Sequence, residues 1–232
     1  MTREMSPAYR LINACRTSRA AAESLLDDEP DLLTARTGIG ETALHYLAVE
    51  DEREAVLWLL SRGASIDPRN DFGGTPLMDA ASLGYEEMVR LLLASGADPN
   101  AQDPSNESAL TWAARNGETR VAEILLDAGA ATETGLETPL HCAAGNGHVA
   151  LVKLLLTRGA RIEAPGFLAW TALHYAAEHG HDAVVDVLLE SGADRCARDS
   201  EGRVPADLAG ELGLRQLAEK LRCSRSDDTT RA

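Results

Sequence analysis

The sequence predicts an all-α solenoid, a row of stacked helix-turn-helix pairs, because two short motifs recur along its 232 residues at one spacing. One motif is a tetrapeptide whose copies lie 33 residues apart, or 30 in one interval. Its copies are TALH at 42–45, TPLM at 75–78, SALT at 108–111, TPLH at 138–141, TALH at 171–174 and VPAD at 204–207. The other motif, LLxxGA, ends at Ala64, Ala97, Ala130, Ala160 and Ala193. Since both motifs keep the same period, the chain is a tandem repeat.

Each tetrapeptide predicts the start of a first helix. Its hydroxyl accepts a hydrogen bond from a first-turn N–H, and a proline in the next position costs no helical donor. About nine residues later a glycine without a Cβ adopts the left-handed conformation that ends a helix, and Asp51 takes this place once. The starts are Thr42, Thr75, Ser108, Thr138 and Thr171, and the glycines are Gly84, Gly117, Gly147, Gly180 and Gly213.

A second helix and a polar finger complete each copy. Apolar side chains recur at helical spacing in segments such as 88–92 and 184–188. A further glycine ends this helix, and about a dozen residues rich in turn formers lead to the next copy, as in 96–108. One pair cannot cover its own apolar faces, so its neighbours must bury them. The leucines that we expect to be buried in this way are Leu44, Leu77, Leu110, Leu140 and Leu173.

Two segments carry a family resemblance almost throughout. GGTPLMDAASLGYEEMVRLLLASGADPNAQD at 73–103 and ETPLHCAAGNGHVALVKLLLTRGA at 137–160 strongly resemble ankyrin repeats, and the resemblance extends over roughly residues 11–222. It implies an ankyrin-repeat solenoid with hairpin-like fingers projecting at about a right angle to the helices. It also implies that the inner face and the finger tips form a concave recognition surface.

The resemblance suggests a division of the chain. Residues 1–40 are expected to be an N-terminal segment and capping repeat, residues 41–202 five central repeats, and residues 203–222 a C-terminal capping repeat. One central repeat has a shortened finger, GAATETGLET. The tail, 223–232, contains too few apolar residues to order itself and is expected to be disordered.

Composition excludes several classes of function. The net charge of −15 repels nucleic-acid phosphates, and no apolar run approaches the roughly 20 residues of a membrane-spanning helix. Four cysteines without a CxxC pair argue against structural zinc and against disulfides, so we expect reduced thiols. With no secretory signal in this sequence, these points favour a cytoplasmic protein, and we expect a monomer without a cofactor.

The histidine-rich segment around 174–182 admits two interpretations. His174, His179 and His181, with nearby carboxylates, are typical of a metal site or a hydrolase. However, His174 is equivalent to His45 and His141, and His181 to His148, and the ankyrin resemblance implies structural hydrogen bonding at these positions. Only His179 is then left for chemistry, so we favour a scaffold role.

The finger segment PGFLAWT, 165–171, is unusually apolar. Burying Phe167, Leu168 and Trp170 would stabilise by about 2 kcal/mol each, so something should cover them. One interpretation is a protein partner, since exposed aromatic side chains are typical anchors of interfaces. The other is packing into the space left by the shortened preceding finger. Both hold if only one aromatic is exposed.

The first helices add further candidates for contact. The position two after each buried leucine forms a ladder of Tyr46, Asp79, Trp112, Cys142 and Tyr175, and we expect its three aromatic side chains to be partly buried. Trp58, in an apolar second helix, is expected in the core. The full set of predicted partner-binding residues is Tyr46, Phe72, Leu83, Trp112, Arg115, Asn116, Phe167, Leu168, Trp170, Tyr175 and His179.

The sequence therefore predicts a non-catalytic module that binds a protein partner, with the negative charge favouring a basic one. Two alternatives stay open. The array is a regulatory subunit or inhibitor of a partner enzyme, or it is a metal-binding protein or hydrolase that uses the histidine-rich helix. Catalytic, cofactor and metal residues are not expected in the favoured interpretation.

Overall fold

A computed structural model describes residues 6–223, and α-helices in consecutive pairs fill most of this range. The described residues contain no strand, which confirms the all-α prediction. No helix between residues 6 and 223 is both long and apolar enough to cross a membrane. The helices are α1 (Pro7–Thr17), α2 (Arg19–Asp28), α3 (Ala43–Val49), α4 (Arg53–Ser61), α5 (Pro76–Ser82), α6 (Glu86–Ala94), α7 (Ala109–Asn116), α8 (Thr119–Asp127), α9 (Pro139–Gly145), α10 (Val149–Thr157), α11 (Ala172–Glu178), α12 (Asp182–Glu190), α13 (Pro205–Glu211) and α14 (Arg215–Lys220).

The pairs stack in chain order. Each odd-numbered helix packs against the odd-numbered helices of the adjacent pairs. The even-numbered helices from α4 to α12 form a second layer in the same manner. The expected leucines of the first helices are buried between these layers, together with apolar side chains of the second helices such as Met88 and Leu188. Trp58 is also buried, as predicted. Neighbouring pairs therefore cover each other's apolar faces.

In three repeats a capping histidine ties the first helix to the following finger. In α3, Nδ1 of His45 accepts a hydrogen bond from the Thr42 N–H at 3.2 Å, while Nε2–H donates to the Gly74 carbonyl at 3.1 Å. His141 reaches Ala164 at 2.8 Å and His174 reaches Arg203 at 3.3 Å in the same way. Burial lowers the pKa of all three rings, so the neutral form that this bonding requires is favoured. The structural role implied by the ankyrin resemblance is confirmed.

Two repeats replace this histidine, with different consequences. In α7 the equivalent residue is Thr111, whose hydroxyl lies 3.3 Å from that of Thr134 in the shortened finger. Ser108 lies 3.0 Å from the same Thr134 hydroxyl, so a buried cluster of hydroxyls joins α7 to this finger. In α5 the residue is Met78, whose thioether is at most a weak acceptor and cannot donate such a bond.

The turns between paired helices have the predicted left-handed residues. Gly117 has φ of +81°, and Asp51 takes the same conformation at +55°. A Cβ on Gly117 or Gly147 would collide with the ring of His148 or His181, so glycine is required here for space as well. His148 donates from Nε2 to the Arg115 carbonyl at 3.1 Å, which links this turn to the preceding pair.

The end of the chain corrects one prediction. Cys196, in the last finger, forms a disulfide with Cys223, and their Cα atoms are 5.3 Å apart. The expectation of four reduced thiols was therefore wrong for this pair, because stacking brings together cysteines whose spacing is not a recognised motif. Cys15 and Cys142 are free. The predicted disordered tail began at Cys223, which is held by this bond, and the rest of it, 224–232, lies outside the described residues, as does 1–5.

Candidate protein-binding surface

Five finger tips are closed turns that direct side chains outward. In the finger between α4 and α5, Oδ1 of Asn70 accepts hydrogen bonds from the N–H groups of Phe72 at 3.0 Å and Gly74 at 2.9 Å. Asp103 and Asp199 make the same pair of bonds in their fingers. The backbone N–H to carbonyl bonds that close these turns run from Thr37 to Glu41, Asn70 to Gly74, Asp103 to Glu107, Gly166 to Trp170 and Asp199 to Arg203.

The finger tips and the exposed sides of the first helices form one surface, which we call the finger face. Phe72 is 70% exposed and Phe167 is 56% exposed, although both are large and apolar. The exposed apolar residues of the tips are Ile39, Phe72, Leu136, Phe167 and Leu168, and Leu83 is exposed at the end of α5. An apolar group on four of the fingers is more than an isolated surface residue.

Trp112 and Arg115 form the centre of the finger face. Trp112 is half-buried, as predicted, and the Arg115 guanidinium lies 4.9 Å from its ring centroid. Arg115 also forms a bidentate ion pair with Glu107. Tyr46, also half-buried, meets Tyr9 edge-on with 5.9 Å between ring centroids. The rings of Tyr46 and Trp112 are therefore partly exposed and partly packed against the helices.

Asn116 and His179 lie at the ends of their first helices and are exposed. The Asn116 amide donates to the backbone carbonyl and the hydroxyl of Ser82, both at 2.8 Å, which ties α7 to α5. His179 donates from Nδ1 to the Tyr175 carbonyl at 2.9 Å. Both side chains are thus oriented within the finger face and are accessible to a partner.

Trp170 is packed rather than presented. Its Nε1–H donates to Oδ2 of Asp199 in the next finger at 3.1 Å, and its ring stacks on His174 at 6.4 Å between centroids. Tyr175 meets the same ring edge-on at 5.2 Å, and the Arg203 guanidinium lies 5.9 Å from it. Its contacts therefore include the finger that follows as well as its own first helix.

Phe167 and Leu168 have a different environment from Trp170. They lie in a short 3₁₀ turn, Phe167–Ala169, where Leu168 and Ala169 have φ of +56° and +60°. Both Phe167 and Leu168 are exposed. One aromatic of this finger, Phe167, is therefore exposed and the other, Trp170, is packed. The packing is against its own first helix and the following finger, not into the space left by the shortened preceding finger as one interpretation expected.

Tyr175 differs from the expected partial burial. It is only 8% exposed, and its hydroxyl donates to Oε1 of Glu137 at 2.9 Å. Burial, followed by the Glu137 carboxylate, raises the pKa of its phenol above the usual value. Tyr175 thus lies beneath the finger face, where it joins α11 to the shortened finger, and a partner does not reach its ring.

The histidine-rich helix is engaged in scaffold contacts. His174 is buried in its capping box, His179 bonds to Tyr175, and His181 donates from Nε2 to the Gly145 carbonyl at 2.9 Å. The rings of His179 and His181 stack, with 6.1 Å between centroids. Among residues 6–223 no three His, Cys, Asp or Glu side chains are grouped as metal binding requires.

A pocket of about 250 Å³ opens in the finger face between α5 and α7. Asp79 lies in its wall, and Oδ2 of this carboxylate is buried without a hydrogen-bond partner in the described structure. Burial, and to a lesser extent the charge of Glu41, raises the pKa of Asp79 to about 6. The lining residues are Asn70, Phe72, Gly74, Met78, Asp79, Ser82, Asp103 and Trp112.

Sequence reasoning placed Asp79 in the ladder of the first helices, but of the residues that line this pocket only Phe72 and Trp112 entered the predicted contact set. The available signal was position: Asp79 stands in the ladder that carries Tyr46, Trp112 and Tyr175 in other copies. A carboxylate at this half-buried position is costly unless something pairs with it. The apolar tips Ile39 and Leu136 were also omitted, because a single apolar residue in a polar loop carries little signal.

Comparison with known proteins places the repeats within a described family. A family model described as ankyrin repeats in three copies matches residues 11–103 and 101–166, and an ankyrin repeat model matches 170–200. Ankyrin repeat and KH domain-containing protein mask of Drosophila melanogaster is 44% identical over 94 residues, 40% of this chain and 2% of that protein.

Two further relatives match over comparable lengths. The human ankyrin repeat and KH domain-containing protein 1 is 44% identical over 91 residues, 38% of this chain and 4% of that protein. Neurogenic locus notch homolog protein 1 of Danio rerio is 39% identical over 120 residues, 50% of this chain and 5% of that protein. The chain thus covers only a small fraction of the length of these relatives.

Proposed function

Because this chain belongs to the ankyrin-repeat family, whose repeats are generally protein–protein interaction modules, we propose that it is a non-catalytic module that binds a protein partner through the finger face and the finger tips. In this proposal the finger face is the concave recognition surface of the array. Preformed helices and closed finger turns keep the ordering cost of binding low, so binding requires little rearrangement of the chain.

The observation that carries the proposal is the exposure of Phe72 and Phe167 on finger tips of the same face. Aromatic side chains dominate interface energetics, and each exposed ring forgoes about 2 kcal/mol of burial in the free protein. Two rings alone do not offset the cost of association, so the partner must also cover first-helix residues such as Leu83, Trp112 and Asn116. The proposed contact set is the predicted one without Tyr175, and with Trp170 acting as a support.

Charge supports a basic partner. The chain carries 37 acidic and 22 basic residues, so its field accelerates encounter with a positively charged protein and opposes binding of nucleic acid. We propose that the chain itself acts as a monomer, since the same net charge opposes self-association. A chain that regulates or inhibits a partner enzyme would use the same contacts, and an activity assay of the captured partner with and without this chain distinguishes that role.

The proposed cytoplasmic location requires the Cys196–Cys223 pair to be reduced in the cell, because cytoplasmic thiols are rarely oxidised. Alkylation of thiols during cell lysis measures this state directly. Modification of both cysteines supports the cytoplasm, and protection of both supports an oxidising compartment.

The test is capture of partners by three forms of the intact chain: the natural sequence, a Phe72→Ser, Phe167→Ser double variant and a Leu57→Ser control. Leu57 is 51% exposed, but it lies on the second helix α4, away from the finger face. We expect the double variant to lose the partners and the control to keep them, with both as stable as the natural chain. Equal capture by all three forms would contradict the proposal.

A further inference from the structure

We propose that the pocket lined by Phe72, Asp79 and Trp112 binds one arginine side chain of the protein partner. This inference rests on the proposed function, and it goes further because it names the partner group and the position that receives it. The reasons are the place of the pocket in the repeat, the missing hydrogen-bond partner of its carboxylate and the aromatic side chains in its walls.

The pocket lies beside α5, which lacks the histidine that bridges to the next finger in three other first helices. In α3, α9 and α11, a histidine ring bridges from the first helix to a carbonyl of the next finger. Met78 replaces it in α5 and lines the pocket with its apolar side chain. α5 therefore has no histidine bridge to the finger that follows it.

The carboxylate of Asp79 is incompletely paired. Its Oδ2 is buried, and no donor within the described residues hydrogen-bonds to it. The charges that act on it from outside α5 are negative: Glu41 raises its pKa, and Asp103 lies in the same pocket. A buried carboxylate needs a cationic donor to offset its desolvation, and the free protein supplies none at Oδ2.

The walls favour a guanidinium over other cations. Phe72 and Trp112 offer aromatic rings, and a guanidinium stacks on rings while its N–H groups donate to a carboxylate. Trp112 already lies beneath one guanidinium, that of Arg115, which is itself paired with Glu107. A volume of about 250 Å³ accommodates a single side chain but lies below the roughly 300–1,000 Å³ of small-molecule sites.

The test is a titration of the full-length, ¹⁵N-labelled chain with N-acetyl-arginine methylamide, followed by NMR. The citrulline analogue is the neutral control of the same shape, and the lysine analogue tests the preference for a guanidinium. The reporters are the indole N–H of Trp112 and the backbone amides of α5. The protein variants are Asp79→Asn and, as a control of equal charge, Asp28→Asn, whose side chain is exposed at the end of α2.

We expect saturable shifts with the arginine analogue at concentrations up to about 20 mM, since one side chain alone gives about millimolar affinity. Asp79→Asn should weaken this binding about tenfold, as expected for loss of a charge-assisted hydrogen bond, and Asp28→Asn should leave it unchanged. The citrulline analogue should not bind to the pocket, and the lysine analogue should bind more weakly than arginine.

The inference is overturned if the arginine analogue produces no saturable shift, if citrulline shifts the same signals equally, or if Asp79→Asn binds as well as the natural chain. Equal or tighter binding of the lysine analogue overturns the assignment to arginine. If the arginine analogue does not bind but partner capture still depends on Phe72 and Phe167, only the pocket assignment is removed. Arginine binding without any dependence of capture on those residues instead removes the proposed function.

Discussion

The indole of Trp170 donates its Nε1–H to the buried carboxylate of Asp199 at 3.1 Å, and this bond joins the finger that carries Phe167 to the finger that follows it. The same carboxylate accepts hydrogen bonds from the backbone and the guanidinium of Arg203. Burial alone would raise the pKa of Asp199, but these hydrogen bonds outweigh it and hold the pKa below the ordinary value. Asp199 is therefore the polar centre that orders the C-terminal part of the finger face.

Replacing Asp199 by Asn should lower the free energy of unfolding by about 2 kcal/mol, because the amide loses the charge-assisted hydrogen bonds that the buried carboxylate accepts from Trp170 and Arg203. Since the folded pKa is depressed, this stabilisation is present above the unfolded aspartate pKa of about 3.9 and is lost as pH falls through the lower folded value. Urea unfolding between neutral and acidic pH measures both effects. Asp186→Asn is the control: its exposed pairing with Lys220 should contribute less than about 1 kcal/mol. An equal loss in both variants would contradict this account.

Replacing Asp79 by Asn should have the opposite effect and raise stability at pH 7 by up to about 3 kcal/mol, since the folded pKa of about 6 exceeds the unfolded value of about 3.9. For a raised carboxyl pKa, the folded state is favoured while the group is protonated, and stability falls as pH rises from about 4 to about 6. Glu41 and Asp103 face the same region and are present in both proteins. Thermal unfolding across this range should show the decline only in the natural chain, and an unchanged decline in Asp79→Asn would count against an unpaired carboxylate.

Single serine replacements of Phe167 and Trp170 should separate contact from packing. Trp170→Ser removes a ring with four neighbours and should lower stability by about 2–3 kcal/mol, whereas Phe167→Ser should change it by less than about 0.5 kcal/mol. Partner capture should fall in Phe167→Ser despite its normal stability. Differential scanning calorimetry with capture on the same preparations measures this, and a large stability loss in Phe167→Ser would show that its ring is packed.

The disulfide gives a prediction that mass spectrometry resolves. In protein purified without reductant, iodoacetamide should modify Cys15 and Cys142 after unfolding and leave Cys196 and Cys223 unmodified. Reduction should lower stability by about 3.5 kcal/mol at most, because the closed loop spans 27 residues. A Cys223→Ser variant should reproduce the loss, while Cys15→Ser should not. Modification of all four cysteines would exclude the bond.

Much of the fold was accessible from the sequence because each feature repeats. The left-handed turn at Asp51 and the structural bonding of His174 followed from comparison with equivalent positions. Periodicity thus separated the scaffold histidines from a metal site. The exposure of Phe72 was also anticipated from its place at a finger tip.

Features made by contacts between different copies were harder to predict. The burial of Tyr175 depends on Glu137 in a shortened finger, and the disulfide of Cys196 depends on where the chain returns after α14. Asp79 was placed in the ladder but left out of the contact set, because its burial arises from neighbours whose packing the repeat pattern does not specify. In each case the local sequence has no recognised motif, and the burial or the bond depends on the residues that stacking places beside it.

The most direct measurement is photo-crosslinking from single positions of the intact chain to the captured partner. A benzoylphenylalanine at position 72 on the finger face is compared with one at position 57 on the second helix α4, since Phe72 and Leu57 are both exposed in the free chain. The account predicts a crosslink from position 72 and none from position 57. A crosslink from position 57 alone would place the partner on the opposite layer and contradict the central claim.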